Sequence, residues 1–302
     1  MKKKSFLIVL GVCIGTTGFV WGTNDKPLYK NPDAPIENRV EDLLRRMTLQ
    51  EKVLQLQNKP VGRIDEIERV FGGQSYGCTH EMGQTAEECA RIYNELQNYM
   101  LTKTRLGIPI LTAVEGIQGI LQNNSTLFPH AIAQGSTFNP GLIERMTEAA
   151  GAEAATMGIH QVLSPVFDIA RELRWGRVEE TYGEDPYLIA EMGIGFVKGY
   201  QKHRITCTPK HFVAHGTPTG GLNCAFVSGG EREFRSMHLY PFARVIKEAD
   251  PLCIMSCYSA YDGIPVSASP YYMTDVLRDE LGFKGYVYSD WGAIEMLKTL
   301  HY

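Results

Sequence analysis

Charged and aromatic side chains follow short apolar runs at four places in this 302-residue chain. Asp290 directly follows the run 285–289, and Glu115, Lys210 and Tyr258 end similar runs that begin near residues 108, 205 and 252. Because the carboxyl ends of the strands in a β/α barrel lie on one face, we expect these side chains to form one site. A carboxylate in that position is placed for catalysis.

Each of these residues also has a simpler interpretation. Asp290 could cap a helix beginning at Trp291, since aspartate is a favoured N-cap residue. Glu115 could be a solvated loop acid, and Lys210 with His211 could be a structural pair at a strand end. Two adjacent polar donors after an apolar strand nevertheless favour a function for that pair.

The histidines do not indicate a metal. His211 and His215 have the i, i+4 spacing of a zinc-binding helix, but Phe212 occupies the position where such a helix carries glutamate, and Pro209 precedes the pair. No Cys-x-x-Cys spacing occurs either. We therefore expect neither a metal nor another cofactor.

A dense charged loop spans residues 174–186. Arg177 is assigned to the site because its planar guanidinium can grip two neighbouring hydroxyls or a carboxylate with fixed geometry. The loop's acids are interpreted mostly as loop structure, and Asp185 is predicted to cap a helix whose first residue is Pro186. These loop acids are Glu179, Glu180, Glu184 and Asp185.

Two carboxylates, two cations, a histidine and the Tyr258 ring on one rim would suit a sugar. Hydroxyls need charged hydrogen-bond partners, and an aromatic face packs against ring C–H groups. Cleavage of a glycosidic bond with retention needs a carboxylate nucleophile and a carboxylic acid roughly 5 to 5.5 Å apart. Lys210 and Arg177 are expected to lower the pKa of Asp290 and keep it ionised.

Strand-like runs alternate with helical segments along the chain, which predicts parallel β/α units. A closed barrel needs eight such units, so we expect an α/β fold, a (β/α)8-type TIM barrel that is incomplete at the C-terminus. The predicted strands are 110–114, 133–137, 160–164, 205–209, 252–257 and 285–289, with a possible seventh near 53–57. The predicted helices are 85–104, 140–157, 186–200, 231–249 and 273–281, preceded by helical periodicity over 36–57 in which Thr48 starts a second helix.

The amino-terminus predicts export. Residues 1–22 combine a lysine-rich start with a broken apolar stretch, as in a signal peptide, and 23–35 is predicted to be a linker. A membrane anchor is the alternative, although glycines and threonines interrupt the run; lipid modification of Cys13 is another, weakened by the bulky Val12. The net charge of −4 grows more negative without the leader's lysines. We therefore expect a periplasmic or extracellular protein with no nucleic-acid partner and no stable membrane insertion after signal removal.

Six cysteines follow the leader, too few for a disulfide framework. Free thiols and one or two bridges are both compatible with the sequence. Cys253 and Cys257 cannot pair, because four residues of strand separate them by about 13 Å.

Several ordered motifs now identify a family. They are Leu127–His130, His160–Asp168, Arg174–Pro186, Lys210–Phe212 and Tyr286–Trp291. With these motifs, the chain from about residue 36 to 302 resembles the N-terminal catalytic domain of glycoside hydrolase family 3.

The resemblance implies a retaining, exo-acting β-glycosidase that removes terminal non-reducing β-D-glucosyl or β-D-xylosyl residues from oligosaccharides or from aryl or alkyl β-glycosides. Asp290 matches the family's nucleophile. Glu115 stands where many members carry aspartate, one methylene shorter, which leaves the preference for glucose or xylose open. The positions matching the substrate-binding residues are Glu115, Arg177, Lys210, His211, Met255, Tyr258 and Trp291.

Two other functions are compatible with the resemblance. A β-N-acetylhexosaminidase is disfavoured because the segment 215–221 lacks the Asp-Ser-His of that branch, whereas 220–224 resembles the β-glucosidase and β-xylosidase branch. A non-catalytic sugar-binding fragment is the second, against which the intact motif around Asp290 argues. The resemblance further implies that the acid/base glutamate belongs to a C-terminal α/β sandwich, and that this domain and the last barrel unit are missing here. The oligomeric state is left open.

Overall fold

The computed structural model describes residues 27–80, 85–122 and 124–301. The predicted signal peptide, Cys13 and the first residues of the predicted linker lie outside the described residues. The chain divides into two compact units, one ending at Thr48 and the other spanning Leu49–Tyr302.

In the first unit, a helical turn over Leu28–Lys30 precedes helix α1, Ile36–Arg46. The backbone N–H of Tyr29 donates to the Asp42 carboxylate at 3.1 Å, which ties the turn to the helix. Part of the predicted linker is therefore a hydrogen-bonded turn rather than extended chain.

The second unit is built on parallel strands. They and a short hairpin comprise β1 Cys78–His80, β2 Leu111–Val114, β3 Gln161–Val162, β4 Thr206–Cys207, β5 Cys253–Ser256, β6 Ala260–Tyr261, β7 Ile264–Pro265 and β8 Tyr286–Ser289. The sheet runs in the order β1, β2, β3, β4, and β5 pairs with β8, all in parallel. A parallel bridge between Phe212 and Ser256 joins the continuation of β4 to β5, and another between Asn58 and Cys78 extends the order before β1. The antiparallel hairpin is formed by β6 and β7.

Helices connect the parallel strands, and capping side chains set where several begin. Thr85, Asn139 and Asp185 each accept a hydrogen bond from a backbone N–H in the first turn of the helix that follows, at 3.1, 3.0 and 2.8 Å. The helices of this unit are α2 Leu49–Gln55, α3 Ile67–Phe71, α4 Ala86–Lys103, α5 Ala131–Gly135, α6 Pro140–Thr156, α7 Pro186–Gln201, α8 Glu231–Glu233, α9 Leu239–Ala249 and α10 Ala293–Thr299, with π-helical turns at Phe234–His238 and Tyr271–Glu280.

The core lies between these helices and the strands. Helix α7 packs closely on α6, and a Cβ at Gly199 would collide with the α6 backbone, so only glycine allows that approach. A second, smaller cluster joins buried side chains from four strand regions, with Tyr288 packed against it. Its members are Cys78, Ala113, Leu163 and Met255.

The α/β barrel-type fold predicted from the sequence is confirmed, with three local corrections. Residues 133–137 fall in and just after helix α5 rather than in a strand. Helix α2 runs to Gln55, so the possible strand near 53–57 reduces to the bridge at Asn58. Strand β1 was not predicted.

A cavity of about 530 Å³ lies between β8 and residues 55–58. Among its lining residues, the Asn58 side-chain amide donates to the Tyr288 hydroxyl at 2.5 Å. Asp290 and Trp291 line its end near the carboxyl ends of the strands. Within the described ranges, every helix is too short or too polar to cross a bilayer.

Candidate functional site

Asp290 sits where β8 ends, and the chain around it fixes its carboxylate. Its backbone N–H donates to the carbonyl of Ser256, 3.3 Å away, and its Oδ1 accepts from the N–H of Trp291 at 2.7 Å. Its Oδ2 is buried and has no hydrogen-bond partner among the described residues. Helix α10 begins only at Ala293, after Gly292, and has no side-chain cap. The helix-capping interpretation of Asp290 is therefore wrong.

His211 lies beside this carboxylate and is buried. Its Nε2 is 3.5 Å from the Oδ2 of Asp290, and its Nδ1 is 2.6 Å from the Oδ2 of Asp168. Burial, reinforced by the charges of Arg177 and Lys210, holds the pKa of His211 well below its usual value. The imidazole is therefore neutral near neutral pH.

Arg177 is held by a carboxylate in two-point geometry. Its Nε and Nη2 donate to the two oxygens of Glu180 at 2.7 and 2.8 Å, and Nη2 also lies 3.2 Å from the Nε2 of His211. The guanidinium stands over the Trp175 ring at 5.8 Å. Burial alone would lower the pKa of Arg177, but the hydrogen bond and charge of Glu180, together with the charges of Asp168 and Asp290, outweigh it and raise the pKa.

Glu115, directly after β2, and Lys210, three residues after β4, form an ion pair. The Lys210 ammonium donates to the Glu115 carboxylate at 2.7 Å, and the two side chains are 3% and 30% exposed. The interpretation of Glu115 as a solvated loop acid is therefore wrong, because its half-buried carboxylate is paired with the buried ammonium of Lys210.

Aromatic side chains border the charged groups. Tyr258 is half-buried, and its ring lies edge-on to His215, with centroids 5.7 Å apart. His215 also contacts the ring of His211 at 4.8 Å and that of Trp175 at 5.3 Å. Burial lowers the pKa of His215 to about 3. The i, i+4 histidines thus pack as neutral rings.

Two predicted site residues differ in burial from the charged groups: Trp291 is exposed, and Met255 lies in the interior. Trp291 is 47% exposed and packs edge-on against His80, with centroids 4.4 Å apart. Met255 is 1% exposed and belongs to the interior cluster of the barrel. Its predicted role as a pocket wall stays a prediction.

The electrostatics correct one expectation. Lys210 and Arg177 do lower the pKa of Asp290, as do Tyr258 and the N–H of Trp291, but burial has the larger effect and the pKa of Asp290 is raised. The cations therefore limit the cost of burying this carboxylate rather than making it a stronger acid than usual.

Sequence reasoning missed two residues of this site. Asp168 contacts His211, and Glu180, interpreted as loop structure, holds Arg177. Asp168 ends the apolar motif that begins at His160, and an acid that closes such a run was the available signal. The cysteines among the described residues are all free, and no cluster of three metal-binding side chains occurs there either.

Comparisons with known proteins fit this geometry. Residues 48–302 match the profile of the glycosyl hydrolase family 3 N terminal domain. A β-xylosidase of Formosa agariphila is 31% identical over 100% of this chain and 38% of its own length. A periplasmic β-glucosidase of Salmonella typhimurium is 30% identical over 85% of this chain and 34% of its own.

Solved structures of β-glucosidases are also similar to this chain. The β-glucosidase of Erythrobacter marinus superposes with a TM-score of 0.84 at 32% identity, covering 91% of this chain and 38% of that one. For the Listeria innocua β-glucosidase in complex with isofagomine, the TM-score is 0.76 at 30% identity, covering 87% and 38%. The chain thus spans well under half the length of these relatives. It belongs to glycosyl hydrolase family 3 and contains that family's N-terminal domain.

Proposed function

We propose that this protein is an exo-acting, retaining β-glycosidase that forms a covalent glycosyl-enzyme on Asp290. The observation that carries the proposal is the state of the Asp290 carboxylate. One oxygen is fixed by the Trp291 N–H, while the other is buried without a hydrogen-bond partner among the described residues. An oxygen so placed retains its lone pairs for attack at an anomeric carbon.

The groups around Asp290 have the hydrogen-bonding and aromatic character that binding of a sugar residue requires. Arg177, Lys210 and His211 present fixed donors and acceptors, Glu115 neutralises Lys210, and Tyr258 offers a ring face. We propose that these groups bind the hydroxyls of the terminal non-reducing residue, with Trp291 and Met255 at the edges of the pocket. Relatives named β-glucosidase and β-xylosidase support glucose or xylose as that residue.

The acid that protonates the leaving group is proposed to come from outside the described residues, as the family resemblance implies. General acid catalysis contributes about 100- to 10,000-fold. We therefore expect residues 1–302 alone to turn over an aryl β-glucoside that much more slowly than the full-length protein. Equal rates would place the acid within residues 1–302.

The nucleophile is tested by trapping. A 2-fluoro glucoside should inactivate the full-length protein and leave its mass on the peptide that contains Asp290. Asp290→Asn should abolish both labelling and turnover, while Asp262→Asn, which makes the same change at an exposed turn, should alter neither. Labelling of another residue would refute the assignment to Asp290. Sugar binding without turnover would favour a non-catalytic role, and selective hydrolysis of an N-acetylglucosaminide would favour a hexosaminidase.

We also propose that the protein is exported. The predicted leader supports this, as does the description of the Salmonella relative as periplasmic. Sequencing the amino-terminus of protein recovered from the periplasm or the medium tests it, because export with cleavage predicts a start near residue 23. Retention of the complete leader on cytoplasmic protein would contradict it.

A further inference from the structure

Asp168 is a buried carboxylate that the proposed reaction does not use. It is 3% exposed, and its Oδ2 lies 2.6 Å from the Nδ1 of His211. Burial raises the pKa of Asp168, and the charge of Arg177 opposes that rise. While the carboxylate is ionised it can only accept hydrogen bonds, so the Nδ1 of a neutral His211 carries the hydrogen. Burying such a charge costs free energy unless the carboxylate is hydrogen-bonded or paired with a partner.

That hydrogen determines what the other side of the ring can do. With Nδ1 protonated, the Nε2 of His211 is an acceptor, and the Nη2 of Arg177 can donate to it at 3.2 Å. The opposite tautomer would bring an N–H of His211 against an N–H of Arg177. It would also aim a donor at the Oδ2 of Asp290, 3.5 Å away.

We propose that Asp168 is a positioning residue that fixes His211 in the Nδ1–H tautomer, so that the unpartnered Oδ2 of Asp290 stays free to attack. The inference rests on the proposed role of Asp290 as nucleophile. In this arrangement the imidazole separates two carboxylates and bonds to one of them. If its hydrogen moved to the other side, the attacking oxygen would become a hydrogen-bond acceptor and a weaker nucleophile.

The tautomer can be observed without any activity. Neutron diffraction from a deuterated crystal of the full-length protein should show deuterium on the Nδ1 of His211 and none on Nε2. Deuterium on Nε2 alone, or on both nitrogens, overturns the proposal. Because this measurement uses the unmodified protein, it decides the matter whether or not a variant folds, and whether or not Asp290 proves to be the nucleophile.

The consequence for the reaction is tested with Asp168→Asn. An amide can donate to Nδ1 as well as accept from it, so the variant permits the wrong tautomer with almost unchanged shape. The corresponding change in the serine protease triad lowers kcat about 10⁴-fold. Here we expect kcat and the rate of inactivation by a 2-fluoro glucoside to fall about 100-fold, with KM changed by less than about threefold.

Asp262→Asn is the matched control and should leave kcat within about twofold of the unmodified protein. A purely structural role for Asp168 would lower the fraction of active protein, seen by titration with the 2-fluoro glucoside, without changing kcat per active site. That result, or an unchanged kcat, overturns the kinetic part of the proposal.

Discussion

The paired hydrogen bonds from the Arg177 guanidinium to Glu180 give the most direct test of how the site is built. In Arg177→Lys the positive charge remains, but a single ammonium cannot reproduce the two bonds to Glu180 at 2.7 and 2.8 Å and the contact with His211 at 3.2 Å. One bond to Glu180 can be kept. The variant therefore loses one charge-assisted hydrogen bond, about 1.5 to 3 kcal/mol, together with the weaker contact to His211.

If that loss appears in the transition state, kcat/KM should fall roughly 10- to 150-fold, since about 1.4 kcal/mol corresponds to a factor of ten. The assay is hydrolysis of an aryl β-glucoside by the full-length protein. A matched control lies three residues earlier, where Arg174 forms the same fork with Glu172, at 2.8 and 2.7 Å, but is 71% exposed.

Exposed ion pairs contribute about 0 to 1 kcal/mol, so Arg174→Lys should change kcat/KM by less than about fivefold. The reasoning fails if the two lysine variants lose the same activity. It also fails if Arg177→Lys loses less than about threefold, because the geometry of the guanidinium would then not matter.

Three further predictions concern charge and access. Because burial raises the pKa of Asp290 above the usual 3.8, kcat/KM should fall on acidification with an apparent pKa above that value. An apparent pKa below 3.8 in the pH profile of kcat/KM would contradict this effect of burial. Glu115→Gln should raise KM about tenfold, since it replaces the anionic partner of the buried Lys210 ammonium, 2.7 Å away, with a neutral amide; an unchanged KM would show that the pair does not shape the sugar site. Maleimide should label Cys224 first under native conditions, as mapped by mass spectrometry, because the other described thiols are buried; prior labelling of any of them would contradict the packing. Those buried thiols are Cys78, Cys89, Cys207, Cys253 and Cys257.

Much of the fold could be predicted because apolar runs and capping residues act locally. Strands β2, β5 and β8 and helices α4, α6 and α7 lie within one or two residues of their predicted limits. The failure at 133–137 has a physical cause. A short apolar run has no periodicity that separates a buried strand from a buried helix, and here the chain forms the five-residue helix α5.

The site was predictable where one strand end supplies the residue, as for Asp290, Lys210 and His211. It was not predictable where two segments must be brought together. Asp168 meets His211 across 43 residues because Val166 bridges Lys210 in parallel. That register is set by packing of the whole sheet, so the residue could be noticed in its motif without its partner being known. The roles of these residues stay predictions until the variants are measured.

The hydrogen bond from Asn58 to Tyr288 connects residues 230 positions apart. Proteins emerge from the ribosome amino-terminus first, so Asn58 is synthesised more than two hundred residues before its hydrogen-bond partner Tyr288. Asp290, the proposed nucleophile, lies two residues beyond Tyr288 and is synthesised almost at the same time. A nascent chain that stalls before this point therefore lacks the carboxylate that is proposed to attack the sugar.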